Sequence, residues 1–225
     1  MTASLRTVCR AVAALLSGSL LAAPLLAQDP LALPDEGAPR TGLQLAIQLG
    51  LPFTTYRETP VVEGQEYTTV RGRSAFHVRA SYHVLGATSV WLEGGQSERG
   101  SGVQLNGENA FDIRVNRWEL LTGANVALRC LGPVCPSVDI GAGAARRREA
   151  TLREPGSRRI VGTTDVALTE ISAIAGVRLA ARRWPQFALV LRHEEGLTDL
   201  RPDLANATVK SRSQYLGVSL LLGGR

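Results

Sequence analysis

The sequence predicts an all-β fold, an eight-stranded antiparallel up-and-down transmembrane β-barrel. Three observations carry this. Apolar residues alternate with small or polar ones in segment after segment between Leu43 and Leu222, and the links between segments are alternately short and long. The residues between the apolar ones are largely glycine, alanine and serine rather than a dense cover of charge. Period two specifies strands, unlike links at the two ends specify a meander with two different rims, and a small-residue face suits a crowded lumen.

The amino end comes first. Arg6 and Arg10 precede an apolar run broken by Ser17, Gly18 and Pro24, and Ala27 offers a small residue for cleavage before Gln28. This pattern is a secretory signal peptide over residues 1–27. The alternative, a retained membrane helix, needs about 20 continuous apolar residues, which this run does not supply. No lipoprotein cysteine follows the run, since Cys9 lies before it. Residues 28–41, rich in Pro, Asp and Gly, read as a flexible periplasmic leader, and residues 42–225 as the barrel domain.

The strands follow in order. Leu43, Leu45, Ile47, Leu49, Leu51 and Phe53 alternate with Gln44, Ala46, Gln48 and Gly50. The second sets Phe76, Val78, Ala80, Tyr82 and Val84 against His77, Arg79, Ser81 and His83, and "SVWLEGG" is the third. The fourth carries Trp118, Leu120, Thr122, Ala124 and Val126, with "NAFDIRV" extending it beyond a bulge. Val138, Ile140, Ala142 and Ala144 mark the fifth; Ile171, Ala173, Ala175, Val177 and Leu179 the sixth; "QFALVLRHE" the seventh; and Leu216, Val218, Leu220 and Leu222 the last. The links at 54–74, 97–110, 146–165 and 195–210 are long and polar, whereas "LGAT", "CLGPVC" and "RRWP" are tight. Short turns facing the periplasm and long links facing out place Arg57, Arg99, Arg153 and Asp203 outside, with Cys130, Cys135 and Trp184 near the periplasm.

A soluble lipocalin-like barrel shares the alternation but turns its apolar face inward. Its outer face would then be dense in Lys, Glu and Thr, whereas here that face holds Gly50, Gly123, Gly141, Gly143, Gly176 and Gly217. The apolar faces suit lipid, where a mid-plane arginine costs about 2–4 kcal/mol. By register, Glu93, Glu119, Asp139, Glu170 and Glu194 point inward with Arg79, Arg178 and Arg192, forming an ion-pair plug in a lumen just wide enough for side chains.

Charge excludes little. The chain carries 25 basic and 20 acidic residues, and cleavage of the signal, which removes Arg6 and Arg10 but no acid, lowers the net charge from +5 to +3. That near balance offers no nucleic-acid reading. The mature chain keeps Cys130 and Cys135, for which an oxidising compartment favours a small disulfide loop, with two free thiols as the alternative. Arg146, Arg147 and Arg148 open the link "RRREATLREPGSRR". A solvated tip is the ordinary reading, and a contact with lipopolysaccharide phosphate is the functional one, since a guanidinium binds phosphate through paired hydrogen bonds.

Read along its length from Gly42 to Gly224, with "WELLTGANVAL", "SVDIGAGAA", "ISAIAGVRLAAR", "LRHEEGLTDL" and "SRSQYLGVSLLLG" as the segments that carry the likeness, the chain resembles the PorT-like outer membrane protein beta-barrel domain, a relative in architecture of OmpA- and OmpX-type barrels. It departs from the usual form in ending "LLLGGR", without a terminal aromatic. The resemblance implies fold and location in the cell outer membrane more than activity.

Enzyme signatures do not assemble. "HEEG" at His193 lacks the second histidine of a zinc helix, and "GAGAAR" lacks the third glycine and the following helix of a dinucleotide site. His193 followed by Glu195 departs from the His and Ser two apart used by lipid-A-deacylating barrels, and His193 shares the outward register of Phe187, Leu189 and Leu191. His77 and His83 lie too far apart for one ion. The expectation is therefore a non-catalytic integral outer-membrane barrel for envelope structure, loop display or partner binding, without cofactor or metal. It is a monomer that meets outer-membrane lipid, lipopolysaccharide and the barrel-assembly machinery. A small porin-like channel and a lipid-modifying enzyme are the alternatives.

Overall fold

The computed structural model describes residues 42–60, 63–155, 157, 159–164, 167–201 and 207–223. The expected signal peptide and leader, together with Asp203, lie outside them. Every element among the described residues is a strand: β1 (Leu43–Thr59), β2 (Gln65–Arg71), β3 (Ala75–Leu85), β4 (Thr88–Leu105), β5 (Glu108–Ala127), β6 (Val134–Arg153), β7 (Ile160–Thr163), β8 (Thr169–Ala181), β9 (Trp184–Gly196) and β10 (Thr208–Gly223). The sheet runs β1-β3-β4-β5-β6-β8-β9-β10 and closes where β10 pairs with β1, from Leu45 opposite Gly223 to Thr59 opposite Thr208. Closure leaves the eight-membered ring of described residues without an open edge in the belt, which a wall in lipid requires.

Ten strands occupy eight positions. β2 pairs with β1 and β4 in the slot that β3 fills lower down, so β2 and β3 are one descending strand interrupted at 72–74. In the same way β7 and β8 share one side of β6. The expectation of eight strands is thus met by the ring, with two of its members broken.

The long links are corrected more sharply. Between the third and fourth positions the wall does not end at Ser97: β4 runs on to Leu105, turns at Asn106 and Gly107, and returns as β5. Both turn residues have positive φ, 51° and 83°, the conformation of a two-residue type I′ hairpin, for which Asn-Gly is the favoured pair. Much of the 54–74 and 146–165 links is likewise strand. The opposite rim keeps its short turns, and a disulfide joins Cys130 to Cys135 there with an S–S distance of 2.02 Å.

The exterior is the apolar face. Leu43, Ile140 and Val218 are 62%, 63% and 56% exposed, whereas Gln48 and Glu93 are fully buried. That inverts the distribution of a soluble protein and is the arrangement of a wall standing in acyl chains. The belt on β1 extends from Leu43 to Phe53, ten residue steps, which at about 3.4 Å per step and a tilt near 45° spans roughly 25 Å. Beyond the belt the outward positions turn polar, with Arg57, Arg73, Arg114, Arg146 and Arg212. There the lumen instead becomes apolar: Tyr56, Val103, Ile113, Val115, Ala150, Leu200 and Val209 pack together.

Candidate functional site

Two glycine pairs shape the lumen. Gly50 and Gly217 face each other across β1 and β10, and a Cβ on either would come within 2.6 Å of the Tyr215 ring. Across the barrel Gly123 and Gly141 pair on β5 and β6, and a Cβ there would lie 2.8 and 2.9 Å from Trp91. The luminal glycines therefore give two aromatic rings room to lie flat on the wall. Each ring in turn supports a guanidinium: Arg79 sits 4.4 Å from the Trp91 centroid and Arg192 5.2 Å from that of Tyr215.

Above these rings the charges form a connected ladder. Arg79 grips Asp139 with two hydrogen bonds of 2.9 and 2.8 Å, and Asn125 Nδ2 donates to the same carboxylate at 2.9 Å. Arg192 Nη2 reaches from β9 across to Glu93 on β4, at 2.7 and 2.8 Å from its two oxygens, and Gln48 Nε2 adds a bond of 2.9 Å. Glu119 accepts from His77 Nε2 at 2.7 Å, Ser97 Oγ at 2.6 Å and Arg117 Nε at 2.7 Å, with Arg99 Nη2 2.9 Å away. Arg99 also donates to Glu194, and Arg117 and Ser211 to Glu170. Charge-assisted bonds of this density offset the removal of the groups from water.

Of the residues assigned inward by register, Arg79, Glu93, Glu119, Asp139, Glu170, Arg192 and Glu194 are buried and joined in this ladder. Arg178 is only half-buried; its Nη2 donates to Ser219 Oγ at 2.7 Å rather than to a carboxylate. Two arginines of the ladder lie outside that inward assignment. Arg117 was not singled out, and Arg99, expected outside, is 3% exposed inside the barrel. The signal was present, because Glu93, Gly95, Ser97 and Arg99 keep one parity along β4, as do Arg117 and Glu119 along β5.

The three arginines at 146–148 do not share a face. β6 carries one extra residue here, since Arg117 pairs with Arg147 and Asn116 with Glu149, a bulge that reverses parity. Arg146 and Arg148 are exposed, with Arg148 5.6 Å from the Trp118 ring, while Arg147 turns inward to a cleft with Tyr56, Arg117 and Glu170. Arg153, expected in a loop, ends β6 and is buried, 3.4 Å from Glu98, which also has Arg73 at 3.6 Å and Arg114 at 3.7 Å. His193 faces outward and meets Gln214 at 2.8 Å.

No family model and no curated protein matches the chain. Among solved structures it is similar to Ail, the attachment invasion locus protein of Yersinia pestis, at 17% identity, over 81% of this chain and 99% of that one, with a TM-score of 0.45. It is also similar to Neisserial surface protein A, at 13% identity over 80% and 98% of the two chains, with a TM-score of 0.47. The outer membrane protein OprG from Pseudomonas aeruginosa is similar at 10% identity, over 81% and 97%, with a TM-score of 0.45.

Proposed function

We propose that this chain is a non-catalytic integral outer-membrane barrel, closed to solute flow, whose rigid wall mounts the β-hairpins that continue beyond the lipid belt. The carrying observation is the filled lumen: an ion-pair ladder from Asp139 to Glu170 lies beneath an apolar plug around Tyr56 and Val209. Ions crossing it would have to break buried charge pairs and then pass a dry cluster. The hairpin of β4 and β5 supports a display role, since Leu105 stands nine residues past Gln96 at the belt edge, about 30 Å along the strand.

In this reading the short-turn rim faces the periplasm, the barrel acts as a monomer inserted by the barrel-assembly machinery, and its sequence belongs with PorT-like domains. The exposed arginines Arg146 and Arg148, with Arg73, meet lipopolysaccharide phosphates at the rim of the belt; Arg147 has no part in that contact. The porin-like alternative has one observation in its favour, a cavity of about 160 Å³ at the short-turn mouth, but the cavity borders Arg79, which is itself tied to Asp139.

Liposome swelling tests the reading. Purified protein that keeps its compact mobility on an unboiled gel should leave liposomes impermeable to arabinose, and swelling at a rate proportional to protein content would reject the closed barrel.

A further inference from the structure

We propose that the cavity at the short-turn mouth is a binding site for a small tetrahedral oxyanion, phosphate or sulfate, with Arg178 as its cation. The cavity, about 160 Å³, is bordered by Arg178 and by hydroxyls from four strands, those of Ser81, Ser89, Ser137 and Ser219. Arg79, Arg99, Arg117 and Arg192 each hold a carboxylate. Arg178 does not: no carboxylate oxygen lies within 4.0 Å of it among the described residues, and its Nη1 has no hydrogen-bond partner. The neighbouring Arg79 brings no spare counter-charge, because Asp139 is already committed to it.

Arg178 is half-buried as a residue, but its Nη1 is shielded from water without a partner, and such a cationic nitrogen costs stability unless an anion joins it. The ring of hydroxyls says which anion. Ser219 Oγ accepts from Arg178 and Ser137 Oγ accepts from Asn125 Nδ2 at 2.9 Å, so each retains its own O–H to donate. Hydroxyl donors from several strands lining one cavity with one guanidinium match a tetrahedral oxyanion, which presents acceptors in all directions, better than a planar carboxylate. Arg79, held by Asp139 and stacked on Trp91, borders the cavity on its luminal side. The assignment depends neither on which rim faces the periplasm nor on whether the barrel conducts.

The test uses the full chain in detergent, melted in sodium phosphate, sodium sulfate, sodium acetate or sodium chloride at equal ionic strength, with phosphorus NMR linewidths of inorganic phosphate as a direct readout. Phosphate and sulfate should raise the melting temperature saturably over chloride, acetate should give a smaller gain, and the phosphate resonance should broaden. Arg178→Gln should remove both effects. So should Ser137→Glu, which places a carboxylate directly opposite Arg178 on the neighbouring strand and raises stability in chloride. No saturable gain in the parent protein, or gain and broadening that survive in Ser137→Glu, would overturn the site; an equal gain with acetate would overturn its ligand class.

Discussion

Replacing Arg192 by Met is the sharpest perturbation of the ladder. Arg192 is 3% exposed and supplies both short bonds to Glu93, which is itself fully buried. After the change Glu93 keeps the Gln48 amide, with His77 Nδ1 at 3.6 Å and Arg79 Nη1 at 3.9 Å. Those contacts are too long to replace two charge-assisted bonds. Leaving a buried carboxylate in that state costs about 3–5 kcal/mol, which at roughly 2 kcal/mol per molar urea moves the unfolding midpoint down by about 1.5–2.5 M. Pairing the change with Glu93→Leu removes the stranded charge as well, so the double variant should recover most of the loss. The assay is urea unfolding in lipid vesicles, followed by tryptophan fluorescence and unboiled-gel mobility. A shift in the single variant below about 0.5 M, or a double variant as unstable as the sum of its parts, would refute the claim that Arg192 and Glu93 are a desolvated pair.

Other changes probe other parts of the wall. In chloride, Arg178→Ala should lower stability by less than about 1 kcal/mol, because the one bond lost to a serine is offset by removing an uncompensated guanidinium and no carboxylate is stranded; the same urea titration measures it. Gly217→Val sets a side chain where 2.6 Å separates an added Cβ from Tyr215, so about 1–3 kcal/mol of overpacking strain should show as a lower midpoint. Val218→Arg should cost about 2–4 kcal/mol, while Gln214→Arg, two outward positions nearer the rim, should cost about 0–1, since the penalty follows depth in lipid. A cysteine at Asn106, in a background with Cys130 and Cys135 replaced by serine, should label with an impermeant maleimide in intact cells. Labelling of Gly86→Cys instead would invert the topology.

Strands within the belt were legible because lipid on one side and a crowded lumen on the other force a clean alternation, as between Leu45 and Phe53. Above the belt that contrast fades. Both faces of β4 near Glu98, Arg99 and Ser101 are polar and buried, so composition reads as loop where parity still reads as strand. Arg147 was misplaced for a different reason: a single bulge exchanges the two faces, and nothing in three consecutive arginines marks where it falls. Register also assigns a face without assigning a partner. Arg178 has Ser137 and Val190 as its cross-strand neighbours, so its inward direction was readable while its lack of a carboxylate was not.

Single-channel current across a planar bilayer tests the central claim most directly. With the lumen occupied from Asp139 to the cluster around Val209, protein inserted from detergent should give no resolved conductance steps in 1 M KCl at either polarity. Reproducible ohmic steps from the parent protein would mean that the ladder opens in a membrane, and would contradict the account.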